Sequence, residues 1–458
     1  MTPSPSRSSV THSHPKPSIG ALLLSVLTLL LCSCDSRHPN PIKITVLDPE
    51  WSQPEVLHRV VDQTDRFTRE TGIRVAHSPV PETSFGQLDL ARKLFREQSS
   101  SPDLLSIDMI WPEMIQDSLL DLKPYFSTEL SALDPGLVAS YAPKGKVVAI
   151  PYHTQIGILA YRTDLLRKYG YSHPPRTWDE LEKMAARIQA GEHAEDNKDF
   201  WGYVWQGAEA EGLTCNALEW QASQGGGQII EDDQTISVNN PAAIRAWDRA
   251  ARWVGWISPP GVVAYLEPDS MNVWKSGHAA FWRTWQWKYR LTHWDETALP
   301  DRTGYTSIPG GVAGRFGALG GTGLGVSRFS AHPQEAITLL RFLIKSELAP
   351  ENTGGSDSGR TRPQLYDLPQ ALGLRSRSTN FGDQPAVVSR PSIATGQQYE
   401  KVTRAYMHAV HSVLTRERSA PAAAASLEKE LVEITGFNTG PPPPPPSAGS
   451  TLRHPPQN

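Results

Sequence analysis

Apolar positions along the chain alternate between two rhythms. Short unbroken runs read as buried strands: Ile44-Thr45-Val46-Leu47, closed by Asp48-Pro49, then Ile73-Arg74-Val75, then Leu104–Ile107. Between them apolar residues recur at helical spacing. Val56, Leu57, Val60, Val61 and Phe67 share one face over Pro54–Thr71, with Gly72 as the stop, and Leu88, Ala91, Leu94 and Phe95 repeat the pattern over Gln87–Gln98 before Ser99–Pro102 breaks it. Strands that alternate with helices predict an α/β fold. Asp108 closes the Leu104–Ile107 strand, and open α/β sheets bind ligands outside the carboxyl ends of their strands. Asp108 therefore occupies a site position.

Further along, Val147–Tyr152 and Gly157–Tyr161 read as two strands flanking a proline break, a crossing between two lobes. Thr177 and Glu180 fit a capping box that opens a helix over Leu181–Gln189. Helices follow around Leu213–Ser223, Pro241–Val254, Pro333–Ser346 and Tyr399–Arg416, with a strand near Ala279–Arg283. Eight glycines between Gly310 and Gly325 lead into a strand at Leu324–Ser327. No phosphate-loop pattern accompanies them, so close backbone approach to a ligand, or a hinge, is the better reading. The last segment, Gly440–Asn458, holds six consecutive prolines and cannot build a core.

Composition narrows the setting. Ile19–Leu31 is an apolar run of 13 residues, shorter than the roughly 20 needed to span a bilayer; Arg7 and Lys16 precede it, as in a secretory signal peptide. The stretch Leu31-Cys32-Ser33-Cys34 resembles a bacterial lipobox, with Cys32 where a small residue is usual. The resemblance implies cleavage before Cys34 and lipidation of its sulfur; an ordinary signal peptide is the alternative. Cleavage would leave about 425 residues, enough for two domains. A formal charge of −4 makes nucleic acid a poor partner. Of three cysteines only Cys34 and Cys215 would remain, so a large core must supply the stability. Five of the 14 tryptophans (Trp274, Trp282, Trp285, Trp287, Trp294) crowd into one short stretch, which suggests a role beyond core packing.

Several segments are similar to family 1 extracellular solute-binding proteins: Ser106–Trp111 (SIDMIW), Tyr161–Glu180 (YRTDLLRKYGYSHPPRTWDE), Phe200–Gly207 (FWGYVWQG), Glu211–Trp220 (EGLTCNALEW) and Arg390–Tyr399 (RPSIATGQQY). Within that family they resemble the trehalose- and maltose-binding proteins of ABC sugar importers. The resemblance implies a two-lobed α/β fold with three hinge crossings, a sugar in the central cleft, no catalysis and no cofactor. It divides the chain into signal peptide 1–33, lipidated cysteine and tether 34–41, a first lobe of 42–150 with 306–350, a second of 151–305 with 351–437, and a disordered tail 438–458.

Sugar chemistry suits these residue types independently, because hydroxyls call for charged acceptors and donors while C–H faces call for aromatic platforms. By resemblance Asp108 accepts sugar hydroxyls, against a role as cap of the following turn. Trp285 and Trp287 stand where stacking aromatics are expected, against a place in the core. Glu267 is a second acceptor or a solvated acid; Arg390 lies near the cleft entrance or in a surface ion pair. Glu50 and Gln53 offer polar contacts from the loop after the first strand. Two departures stand out: Gln155 in His153-Thr154-Gln155 where relatives carry an aspartate, and Gly320-Gly321-Thr322 where they carry Gly-Gly-Trp, which places Gly321 and Thr322 at the site without a second ring.

Other constellations carry less. His408 and His411 sit three apart with no third ligand nearby, so no metal site is expected. Asp108 with Glu219 or Glu267 would suit a lipoprotein glycoside hydrolase, the enzymatic rival. Cys215 lacks any partner that would activate it. The expected protein is a lipid-anchored monomer of the periplasm or cell surface that delivers a small sugar to ABC permease subunits; a sensor lipoprotein presenting its ligand to a receptor is the alternative.

Overall fold

The computed structural model describes residues 41–49, 54–131, 133, 135–285, 299, 302–348 and 386–444. The Ile19–Leu31 run, Cys34, Glu50, Gln53, Trp287 and Trp294 lie outside them.

Among the described residues one mixed sheet of nine strands organises the fold, in the order β2 (Arg74–His77), β1 (Lys43–Leu47), β3 (Leu104–Asp108), β8 (Phe316–Val326), β4 (Ile150–Arg162), β6 (Ala279–Trp285), β5 (Trp201–Val204), with β7 (Thr303–Ser307) paired to β4 and β9 (Ala386–Val388) to β8. At one end, β1 (Lys43–Leu47), β2 (Arg74–His77) and β3 (Leu104–Asp108) run parallel, joined by α1 (Pro54–Thr71) and α2 (Ser84–Arg96). Thr83 caps α2 by accepting from the Gly86 amide at 3.2 Å. This is the alternation that the apolar rhythm predicts, and its core gathers Ile44, Val46, Phe67, Leu104, Val326, Leu340 and Leu343.

Two long strands carry the chain into the second half. β4 (Ile150–Arg162) pairs through Ile150–Ile156 with β8 (Phe316–Val326) and through Gly157–Arg162 with both β6 (Ala279–Trp285) and β7 (Thr303–Ser307). The two strands expected on either side of a proline break are thus one strand. Pro151 lies one residue into it, next to a register shift between Pro151 and His153, so the missing amide is absorbed at a bulge. The glycine-rich run is likewise strand through most of its length. Without side chains its residues let β8 lie between β3 and β4, and Gly321 requires this freedom outright: its φ is +151°, and a Cβ there would fall 2.4 Å from the His153 carbonyl oxygen. β7 runs through the lobe boundary expected at 305/306.

The second half wraps β5 (Trp201–Val204) and β6 with α3 (Trp178–Ala194), α4 (Glu211–Ser223), α5 (Pro241–Trp253) and α6 (Glu267–Lys275). β8 leads to α7 (Pro333–Leu348); β9 (Ala386–Val388), α8 (Tyr399–Leu414) and α9 (Ala420–Thr435) complete the described chain. Thr177 caps α3 through the Glu180 amide, whereas the Glu180 carboxylate reaches back to the Arg176 amide rather than to that of Thr177.

Core packing accounts for most of the tryptophans here. Trp178, Trp205, Trp220 and Trp253 form a connected set with ring centroids 5.0–5.6 Å apart, and Trp274 stacks on Trp282 at 5.8 Å. Beyond α9, Asn438 and Gly440 exchange backbone hydrogen bonds with Ile236, so the chain stays paired past residue 438, where the tail was expected to begin.

Candidate ligand site

Three consecutive residues of β8, Gly320-Gly321-Thr322, gather the candidates. Thr322 is the register partner of Asp108 at the end of β3. The Gly321 carbonyl accepts from the Met109 amide at 3.1 Å, which fixes the turn that leaves Asp108. Gly320 faces Gln155 across the ladder to β4, and a Cβ on Gly320 would sit 3.0 Å from the Trp285 ring. Asp108, Gln155, Trp285, Gly321 and Thr322, scattered over more than 200 positions, are thus brought to one stretch of strand.

Asp108 Oδ1 accepts from the Ile110 amide at 3.4 Å in the turn that follows β3, but the next helical turn, Pro112–Ile115, has no side-chain cap bond, and the carboxylate has further partners. Its Oδ2 accepts from Ser84 Oγ at 2.9 Å, Ser84 in turn accepting from Trp111 Nε1 at 3.2 Å. Its Oδ1 meets Arg390 Nη2 at 3.2 Å. Arg390 also reaches Glu211 Oε1 through Nη1 at 3.2 Å, so one guanidinium joins a carboxylate at the end of β3 to one in the first turn of α4. Glu211 is further held by the Tyr399 hydroxyl and by Thr403 Oγ1 at 2.9 Å. Burial pushes the Glu211 carboxyl above its usual range against the pull of Arg390, while Asp108 adds to the rise.

Arg390 is therefore a buried bridge rather than one half of a surface ion pair. Its side chain is 4% exposed, and that of Asp108 is 19% exposed. Arg390 Nε, Tyr141 Oη and Thr322 Oγ1 are buried polar atoms with no hydrogen-bond partner among the described residues. Burial raises the Tyr141 phenol well above its usual pKa, and the Asp108 charge raises it further. Unmet donors beside a partly open carboxylate suit a polyhydroxylated ligand.

Trp285 ends β6 and is 7% exposed. All seven residues of β6 are buried, Arg283 among them. Arg283 tolerates burial because Glu219 neutralises it, Nη2 to Oε1 at 2.6 Å and Nε to Oε2 at 3.1 Å. Trp285 Nε1 donates to Glu267 Oε1 at 2.6 Å, which makes Glu267 a partner of the ring rather than a solvated acid.

The lesser candidates resolve differently. His408 contacts Glu209 at 3.1 Å and His411 contacts the Val263 carbonyl at 3.1 Å; among the described residues no group of three or more His, Cys, Asp or Glu side chains could hold a metal. Cys215 is buried and free, with its thiol pushed up to about 12 by burial. No helix of the described residues is long and apolar enough to cross a membrane. Glu211, Tyr399, Ser84 and Tyr141 are site residues that sequence reasoning missed. The first two lay inside the quoted EGLTC and RPSIATGQQY segments, so the signal was present without a role attached.

Comparison with known proteins bears on the fold and the family. Residues 50–349 match the model of the bacterial extracellular solute-binding proteins. A probable ABC transporter-binding protein of Deinococcus radiodurans is 37% identical over 381 residues, covering 81% of this chain and 89% of its own. The structure of maltose-bound MalE3 of T. maritima superposes with a TM-score of 0.73 at 32% identity, over 86% of this chain and all of that one. The GacH receptor of Streptomyces glaucescens, at 20% identity, shares the fold with a TM-score of 0.70 over 86% of this chain and 99% of its own. The chain thus has the two-lobed α/β fold, and it belongs to the family 1 bacterial extracellular solute-binding proteins.

Proposed function

We propose that this protein is a lipid-anchored binding protein that captures a sugar, a disaccharide of the trehalose or maltose type, and passes it to the permease of an ABC importer without altering it. The observation that carries the reading is the convergence of Asp108, Arg390 and Trp285 on Gly320-Gly321-Thr322, where β8 passes from one half of the sheet to the other. A ligand held there touches both lobes, so the closed form gains contacts that an open form lacks, and a permease can distinguish loaded from empty protein. The maltose held by the T. maritima relative supports the ligand class. By the resemblance, Gln155 and Thr322 stand where relatives commonly carry an aspartate and a tryptophan, so the site leans more heavily on Trp285. Lipidation at Cys34 supplies the anchor, and the monomer spans 42–150 and 306–350 in one lobe and 151–305 and 351–437 in the other.

A thermal-shift screen over mono- and disaccharides tests the reading. A ligand at about 100 times its dissociation constant adds roughly 2.7 kcal/mol to the folded state. Maltose or trehalose should raise the melting temperature and change the intrinsic fluorescence; Trp285→Ala should abolish most of the fluorescence change. Release of glucose from either disaccharide would instead establish the hydrolase. Detergent partitioning of wild type but not of Cys34→Ala tests the anchor.

A further inference from the structure

We infer that Arg283, clamped by Glu219, is a positioning residue that fixes the plane of the Trp285 ring and ties it to the hinge strand β8, an inference that rests on the reading of Trp285 as a sugar platform. The Arg283 guanidinium carbon lies 4.1 Å from the centroid of the Trp285 ring, which places a flat cation over one indole face. Glu267 holds the indole nitrogen, so the ring is fixed both in plane and in rotation. The orientation of Arg283 is set in turn by the two-point contact with Glu219, and its Nη1 is 3.5 Å from Gln206 Oε1.

Glu219 does a second thing with the same oxygen. Its Oε1 accepts from the Ala318 amide at 3.0 Å, and Ala318 lies on β8 two residues before Gly320, the residue against which the Trp285 ring rests. One carboxylate therefore joins the backing of the ring to the strand that crosses between lobes. The local sequence makes room for this. A Cβ on Gly157 of β4 would lie 1.8 Å from Glu219 Oε1 and 2.6 Å from Arg283 Nη2, so the pair can cross the sheet only over a glycine.

Stability alone does not call for the arrangement. Arg283 and Glu219 have no exposed side-chain surface, and an ion pair so placed forfeits the hydration of both charges. Apolar residues of similar volume commonly hold a fold equally well or better. A cationic plane beneath the indole is what they cannot supply.

The test compares wild type, the apolar double variant Glu219→Leu/Arg283→Met, and Arg283→Lys, which keeps the charge but not the planar fork. Each is followed by the Trp285 indole N–H resonance, assigned with Trp285→Phe, and by titration with maltose and trehalose. The double variant should fold with a melting temperature near or modestly below that of wild type, since the Ala318 amide loses its acceptor, and should shift the indole resonance, exchange that proton faster, and bind the sugar about 10-fold more weakly. Arg283→Lys should behave likewise if it folds. An unmoved indole resonance in the folded double variant, or a moved one with sugar affinity within two-fold of wild type, overturns the inference. If wild type binds neither sugar, the sugar reading fails by itself, and the indole resonance still decides whether Arg283 positions the ring.

Discussion

Helix α4 carries a glutamate near each end that meets a buried arginine, and the two pairs differ in what the arginine does next. Glu219 and Arg283 form a closed pair: their side chains have no exposure, and both oxygens of the acid are engaged, by Arg283 and by the Ala318 amide of β8. Glu211 and Arg390 form an open one, because Arg390 spends its second terminal nitrogen on Asp108, a partly exposed carboxylate at the end of β3. The inner pair is a desolvated unit in which the arginine has one carboxylate to itself. The outer one is a bridge from α4 to the end of β3, with unmet polar atoms beside it. The same two side-chain types thus make a closed pair in one place and a shared bridge in the other, and the difference lies in whether the arginine meets a second carboxylate.

The sharpest way to break this contrast is to remove one half of the inner pair. Glu219→Ala leaves Arg283 charged and uncompensated, which should cost roughly 3–5 kcal/mol of stability in a denaturant titration. A loss below about 1 kcal/mol would show that the inner pair is not the closed, desolvated unit described. Arg390→Ala should cost less, on the order of 1.5–3 kcal/mol, since Glu211 keeps Tyr399 and Thr403 and can take up a proton. Its pH dependence has a definite sign. An acid whose folded pKa lies above its unfolded value contributes stability that is full below the unfolded pKa and is lost as pH rises through the folded one. Unfolding of Arg390→Ala between acid and neutral pH should therefore show stability declining with pH more steeply than in wild type.

Asp108→Ala acts on the bridge from the other side. Arg390 retains Glu211, so the ligand-free melting temperature should hardly move, while a sugar hydroxyl loses its charged acceptor. Calorimetry should show affinity reduced by about 10- to 150-fold, or roughly 1.5–3 kcal/mol. A large fall in melting temperature with unchanged affinity would make Asp108 structural.

The smallest effect belongs to a second long-range ion pair. Arg92 of α2 pairs with Glu400 of α8, and Glu400 also takes Arg404, whose guanidinium carbon lies 4.7 Å from the Phe85 ring centroid. Burial by itself would raise the Glu400 carboxyl, but hydrogen bonds from Arg92 and Arg404 outweigh it and hold it below its usual range. Its contribution is thus present above the ordinary carboxylate pKa and is lost as pH falls through the lowered one. The groups are partly exposed, so Glu400→Gln should weaken sugar binding by no more than about 1 kcal/mol, less at high salt. A salt-independent loss of 2 kcal/mol or more would place Glu400 in the ligand site itself.

Asp108 was legible because a carboxylate closing an apolar strand is a local pattern with a general meaning. Trp285 was legible only through resemblance, and the tryptophan cluster around it misled: Trp274 and Trp282 pack in the core, since sequence crowding does not say which face of which element a ring takes. Glu211 escaped for a related reason, and Glu219 was singled out only as a carboxylate of the hydrolase rival. The helix that holds them is buried on nearly every side, including Asn216 and Gln221, so it shows no polar face against which a functional acid would stand out. Arg390 was expected near the cleft entrance by resemblance, with a surface ion pair as the alternative, and its burial could not be read locally. Its two partners lie 179 and 282 positions away.

What the sequence determined by itself is local: the alternation of strand and helix, the stop at Gly72, the cap at Thr177, and the glycines that β8 needs to pass between its neighbours. These follow from backbone preference and apolar period, which act over a few residues. What only the tertiary structure decided is how charge is shared. Whether an arginine closes on one carboxylate or bridges two depends on which strands the sheet brings side by side, and no periodicity along the chain records that β8 would run between β3 and β4. The burial of Arg283 and Arg390 is stable only because acids distant in sequence arrive within hydrogen-bonding reach, so the site exists only once the sheet has formed.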